Sequence, residues 1–371
     1  MIAMVGAIAL GAIIGVLWKE AAAVLKPVGD IFMELLFVLV IPMVFFSVTN
    51  SFNGMMRSGS LWRTLLRTFG AFALIWVAGA VVAYSGGLVV NPLGEGLEPG
   101  SGNPVNTPAP YIPQFFSKFN LLPLILFSAL LGTGVAALGD RLEPFSRFLE
   151  KGEAVVLRAL DILMKGAPVG LGCYFAGTTA SFGSDILRGY LRVALVYCAV
   201  FTIMFFLVCP LMVALKGRKV GLFWRSIARP SVIALATSSS SAAIPSNIEA
   251  ARKIGVADGV AETVIPIATN LLKAGSVMCS VYKVMFLILL SGGTVATFPA
   301  ALTCMGVSIL SAIVSGAVTN GGISGDILIC SLLGMDPSSV GIIMVIGTIL
   351  DIPATVLNSQ STVVAAILSD K

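Results

Sequence analysis

Two long stretches of this chain, residues 231–248 and 284–325, contain no Asp, Glu, Lys or Arg. Uncharged, largely apolar segments of that kind do not form the surface loops of a soluble domain. They match the hydrocarbon core of a bilayer, which a helix of about 20 apolar residues crosses. The composition agrees: 57% of the 371 residues are hydrophobic and 11% charged, where soluble domains average about 45–50% and about 25%. The chain reads as an all-α membrane protein, since a helix in lipid satisfies its own backbone hydrogen bonds.

Several function classes drop out. The chain has no histidine, which removes His-based catalysis, proton relay and metal ligation. Its net charge of +5 is carried in short clusters such as Arg63/Arg67 and Lys216/Arg218/Lys219. These suit loop ends obeying the positive-inside bias, and no nucleic-acid surface is expected. The cysteines, Cys173, Cys198, Cys209, Cys279, Cys304 and Cys330, stand singly in apolar surroundings. That pattern predicts small core residues, with neither a disulfide frame nor a metal site. The apolar run 1–18 lacks a basic start and a cleavage site, so it is expected to be a membrane helix and not a removed signal.

On the length ruler the first half divides into spans at 2–18, 31–53, 66–90, 121–139, 154–180 and 187–215. A Pro-, Gly- and Asn-rich external loop lies at 91–120. The second half resists that ruler. Thr237–Asn247 and Ser315–Asp326 are small, polar tracts, each midway in an apolar region. Each predicts a re-entrant hairpin, because irregular backbone at membrane depth survives only beside protein or a water-filled cavity. Each is followed by an apolar segment with a polar middle, at 256–290 and 338–369. Paired interruptions of this sort point to a transporter site built from internal repeats, although small residues also serve close helix packing.

The polar middles carry the chemistry. Asp351, Thr355, Asn358 and Thr362 fall at i, i+4, i+7 and i+11, one face of a helix, and Thr269, Lys273, Ser276 and Ser280 repeat that spacing. A carboxylate at membrane depth costs about 2.5–3.5 kcal/mol on insertion scales, so Asp351 is expected to face a cavity or a cation. Pro353 predicts a local kink beside it. Lys273 is too deep to snorkel easily. It is expected either to form an ion pair with Asp351 or Asp326 or to be part of the site itself. Asp326 is placed at the tip of the second hairpin, as a gate or a charge partner.

Taken together these residues resemble the dicarboxylate/amino acid:cation symporters. Lys26–Phe32 and Val40–Ser47 resemble that family's second helix, Ala167–Gly170 the start of its fifth, and Ser238–Pro245 and Gly321–Gly325 its two hairpin tips. The resemblance implies about eight transmembrane helices, two re-entrant hairpins, inverted repeats and an elevator movement in a homotrimer. It assigns 1–65 to scaffold helices, 66–90 to a third helix in the transport domain, 121–215 to helices four to six, and 221–371 to the transport core. It places the substrate at Ser238, Ser240, Ser276, Ile323, Asp351, Thr355 and Asn358, with Asp351 on an amino group and Asn358, assisted by Ser240, on a carboxylate. The partners implied are an amino acid, the lipid bilayer of the cell membrane and further copies of the chain. No cofactor is implied.

The departures from the family pattern define a variant. The seventh-helix Asn-Met-Asp-Gly-Thr motif reads Leu272-Lys273-Ala274-Gly275-Ser276 here, the eighth-helix sodium-binding aspartate is Thr362, and the third-helix Thr-Ser pair is Ile75-Trp76. The oxygen ligands that a hard cation needs are thereby lost, and a lysine ammonium enters. The resemblance therefore implies sodium-independent transport with Lys273 as a built-in cation. The arginine that holds an acidic side chain in the family is Ala354 here, which favours a small neutral amino acid. Proton-coupled transport of an acidic substrate reached by Lys273, a Ser/Lys hydrolase and a channel are the alternatives, the hydrolase poorly matched to a duplicated architecture.

Overall fold

The hydrogen-bond constraint of an apolar surrounding is met in the simplest way: the computed structural model is helical almost throughout. It describes residues 2–57, 62–91, 121–182, 185–317, 322–336 and 339–370. The helices of the first half are α1 (Ile2–Leu17), α2 (Lys19–Arg57), α3 (Trp62–Val89), α4 (Leu121–Leu138), α5 (Glu143–Lys165), α6 (Ala167–Phe182), α7 (Asp185–Ile203) and α8 (Cys209–Leu215). Those of the second half are α9 (Val220–Thr237), α10 (Ile244–Ile254), α11 (Asp258–Leu271), α12 (Ala274–Leu290), α13 (Phe298–Ala317), α14 (Gly322–Leu332) and α15 (Ser339–Ser369). Among the described residues, six segments are long and apolar enough to cross a membrane, and α1, α4 and α14 contribute shorter apolar helices.

Local chemistry explains the boundaries. A π-helical turn at Met204–Val208 joins α7 to α8 immediately before Pro210. Proline cannot donate to the preceding turn and its ring crowds the carbonyl there, so the helix widens. The expected span 154–180 is in fact two helices. Gly166 ends α5, and Pro168 sits in the first turn of α6, where a missing N–H costs nothing. The expected span 31–53 is one part of the longer α2, which runs through Pro27 and Pro42. Likewise α15 continues as helix through Pro353. Of the expected loop 91–120, only Asn91 lies within the described residues.

Packing sorts the helices into a centre and a belt. Almost every residue of α12 is buried, as is most of α15 beyond Pro353. Around them, α2 exposes Val24, Ile31 and Val38, and α7 exposes Leu191 and Leu195. Outward apolar residues on helices of this length suit a lipid surround. Most cysteines are buried as predicted, but Cys173 is half-buried and Cys198 is exposed on the α7 face.

Both interrupted regions form helical hairpins. In the first, α9 ends at Ser238, the one non-glycine residue with positive φ (50°) among those described. The chain turns through 239–243, and Pro245 opens α10, which packs back on α9. In the second, α13 and α14 pack together at Gly325, where an added Cβ would lie 2.1 Å from Ser315 Oγ and 2.6 Å from Ser311 Oγ. Its tip, 318–321, lies outside the described residues.

The α12–α15 seam depends on Gly275. A Cβ there would stand 2.3 Å from the Ala354 carbonyl oxygen and 2.7 Å from its Cα, backbone atoms that cannot yield. Gly275→Ala should therefore destabilise the protein by about 1–3 kcal/mol or more, lowering the unfolding midpoint in detergent. Gly306→Ala, on α13 with nothing within 4 Å of the added carbon, is the control and should be neutral or mildly stabilising.

Candidate functional site

Three pieces of irregular or polar backbone converge at the centre: the turn of the first hairpin, the break between α11 and α12, and the middle of α15. The break occupies Leu272 and Lys273, whose backbone angles (φ −86°, ψ 90° and φ −106°, ψ 64°) are not helical. The predicted single helical face of Thr269, Lys273, Ser276 and Ser280 is therefore interrupted. Lys273 stands at the restart of the helix, immediately before its first turn.

That restart is capped from another helix. No side chain at Lys273 caps α12, so its first N–H groups need an acceptor elsewhere. Asn358 of α15 supplies it: its Oδ1 accepts from Gly275 N at 2.8 Å and Ser276 N at 3.3 Å, and its Nδ2 donates to Ser276 Oγ at 3.1 Å. The Tyr197 hydroxyl donates to Gly275 O at 3.0 Å. Asn358 and Ser276 are thus brought together as expected. One of the two Nδ2 hydrogens of Asn358 remains for a further acceptor.

Lys273 reaches the first hairpin. Its Nζ donates to Ser240 Oγ at 3.3 Å, and Ser240 is buried. The ion pair expected with Asp351 or Asp326 is not formed within 4 Å, although Asp351 is close enough to interact electrostatically with Lys273. Asn270, three residues before Lys273, is exposed on α11. Asp351 itself is exposed, while Leu350 before it and Ala354 and Thr355 after it are buried. The Asp351 carboxylate is thus exposed, while the Lys273 ammonium lies against a hydroxyl of the first hairpin. Ser238 caps α9 two residues before Ser240. Ile323 is buried in the first turn of α14, next to the undescribed tip.

Asp326 is not at a hairpin tip. It lies inside α14, 2% exposed, and pairs with Lys283 of α12 at 2.5 Å. Lys283 is the residue that sequence reasoning missed. The signal was present, since it is the last charge before the uncharged stretch 284–325. Of the positions that the resemblance sets against the family's sodium ligands, Trp76 has a buried Nε1 with no hydrogen-bond partner among the described residues. Ala274 and Ile75 are fully buried, and Thr362 donates to Ser359 O of its own helix at 2.8 Å.

A helix broken between two helical hairpins, carried by long apolar spans, is an arrangement that suits a membrane transporter. All of residues 1–371 match the Sodium:dicarboxylate symporter family, and the chain belongs to it. It is a multi-pass protein of the cell membrane. The chain is 27% identical to the Proton/sodium-glutamate symport protein of Bacillus subtilis, covering 98% of this chain and 90% of that one. It is 25% identical to the C4-dicarboxylate transport protein of Azorhizobium caulinodans and 29% identical to that of Xanthomonas campestris pv. campestris. Each of these two matches covers 71% of this chain but only 64% and 63% of the relative, so the chain spans less than two thirds of their length.

The cap separates two roles of Asn358. Asn358→Ala leaves two N–H groups of α12 unmatched and should cost about 1–3 kcal/mol. Asn358→Asp keeps the acceptor, and Ser276 can donate in reverse, so its unfolding midpoint should stay nearer wild type. If this variant nevertheless binds substrate poorly, the amide is needed at the site for more than the cap, since the substitution both removes the Nδ2 donor and adds a negative charge. Equal destabilisation by both variants would remove the capping role.

Proposed function

We propose that this protein moves a small neutral amino acid across the membrane without sodium, with the Lys273 ammonium in place of a bound cation. The observation that carries this is the position of Lys273: at the break that restarts α12, hydrogen-bonded to the first hairpin through Ser240, and within electrostatic reach of Asp351. A free cation in such a place would join the helix break to the hairpin through oxygen ligands. Here a covalently attached charge with three donors does so. The burial of Ala274 and Ile75 and the internal bond of Thr362 support the loss of sodium ligation.

In this reading Asp351 receives the substrate ammonium. The spare donor of Asn358 and the Ser240 hydroxyl receive its carboxylate, and Ser238, Ser276, Ile323 and Thr355 shape the remainder. The two hairpins, α9–α10 and α13–α14, are re-entrant gates of inverted repeats in an eight-helix plan. Together with α11, α12 and α15 they form a transport core, residues 221–371, that moves with the third helix, 66–90, as an elevator. Residues 1–65 and much of 121–215 form the scaffold of a homotrimer. Ala354 is small and packed on Gly275, which leaves no cation at the position where the family holds an acidic side chain.

An acidic substrate is the second reading. The names of the relatives, glutamate and C4-dicarboxylate transporters, favour it, and Lys273 would supply the missing cation. Competition of alanine, serine, aspartate and succinate against labelled alanine in proteoliposomes separates the two.

Uptake should be the same, within about twofold, with an inward sodium gradient or with choline in its place. Strong stimulation by sodium would overturn the built-in cation. Lys273→Met should weaken substrate binding by about tenfold or more, as expected when a charged partner is removed from a buried site. Unchanged affinity would assign Lys273 to packing alone.

A further inference from the structure

The buried pair Lys283–Asp326 has no part in that scheme, yet it lies one helical turn from its key carboxylate. Asp326 belongs to α14, the second arm of the second hairpin, and Lys283 to α12; their side chains are 3% and 6% exposed. The Lys283 ammonium also lies against α15, because Gly347 makes room for it: a Cβ there would be 2.7 Å from Nζ and 3.2 Å from Cε. Gly347 and Asp351 are four residues apart on α15 and so share a face. The ammonium thus sits on the stripe of α15 that carries Asp351 one turn further on.

Two features make this placement consequential. An ammonium has three donors, and Asp326 is the one hydrogen-bond partner of Lys283 among the described residues. A buried charge with unused donors is drawn to any second anion within reach. Asp351, one turn along α15 from the Gly347 position against which the ammonium lies, is that anion. The lysine stem is flexible enough to swing between acceptors on neighbouring turns.

We infer that Lys283 and Asp326 are positioning residues for Asp351: Asp326 holds the Lys283 ammonium off Asp351, and movement of the α14 arm hands that ammonium over. With α14 in place, Asp351 is open to a substrate amino group. With α14 displaced, Lys283 neutralises Asp351 and competes with that amino group. The position of the second hairpin and the affinity of the amino-group site are thereby coupled through one side chain. This rests on the assignment of Asp351 to an amino group made under Proposed function.

The test uses the full-length protein in proteoliposomes, with labelled alanine as substrate and unlabelled alanine and lactate as competitors. Lactate has the same skeleton without the amino group. The readout is the advantage of alanine over lactate. Asp326→Asn should reduce it by about tenfold or more, the scale of a lost charge partner, through alanine and not lactate. Lys283→Met/Asp326→Leu, an apolar replacement of the pair that buried sites tolerate, should restore it to within about threefold of wild type. Lys283→Met alone should raise alanine affinity by about threefold or more, again with lactate unchanged. It decides the matter if Asp326→Asn does not reconstitute. An unchanged alanine advantage in Asp326→Asn, or in Lys283→Met, would overturn the handover, as would equal losses for alanine and lactate. A wild-type protein that does not prefer alanine to lactate would instead remove the amino-group assignment, whatever the variants do.

Discussion

The arrangement at the centre of this protein depends on the amide of Asn358 at the start of α12. A helix interrupted at membrane depth leaves N–H groups that lipid cannot satisfy. The Asn358 oxygen accepts two of them from the neighbouring helix, across a contact so close that only glycine fits at position 275. With that cap in place, Leu272 and Lys273 can leave helical geometry while α12 remains one of the most buried elements of the fold. The lysine is thereby turned toward the first hairpin. Without the cap, a continuous helix would direct Lys273 elsewhere and the contact with Ser240 would be lost.

Charge at depth follows the same logic of compensation. Lys273, Lys283, Asp326 and Asp351 sum to zero, but the pairing is uneven. Lys283 and Asp326 are locked together and buried, whereas Lys273 and Asp351 interact without touching. A tight buried pair contributes little net stability, since desolvation offsets attraction. It does fix which helices lie side by side, here α12 and α14. The looser pair leaves its opposite charges available, as the proposed amino acid substrate would require.

Much of this was legible in the sequence. Uncharged stretches announced the membrane, the small polar tracts at 237–247 and 315–326 announced hairpins, and Asp351, Asn358 and Lys273 were each marked by polarity in apolar surroundings. Three things were not legible, for physical reasons. The helix break at 272–273 is stabilised by Asn358, far away in sequence, and the i, i+4, i+7 spacing runs across it unaltered. The division of 154–180 into α5 and α6 escapes a hydropathy ruler because apolar content continues across Gly166. The partner of Asp326 is set by how α14 packs on α12, which spacing along either helix does not reveal.

The proposed role of Lys273 has a thermodynamic consequence that reaches beyond the binding site. A sodium ion that binds on one side and leaves on the other carries its gradient into the substrate equilibrium, because the two states differ in where the ion is released. An ammonium tethered to the chain returns with the carrier in every cycle, and no net ion crosses. Its binding energy lowers the barrier to closure equally in both directions, and a term that is the same for both directions cannot shift an equilibrium. A chain of this family with its cation built in would therefore equilibrate or exchange its substrate. Accumulation would require a second species, such as a proton or a counter-transported amino acid, whose own bound and free states differ across the membrane.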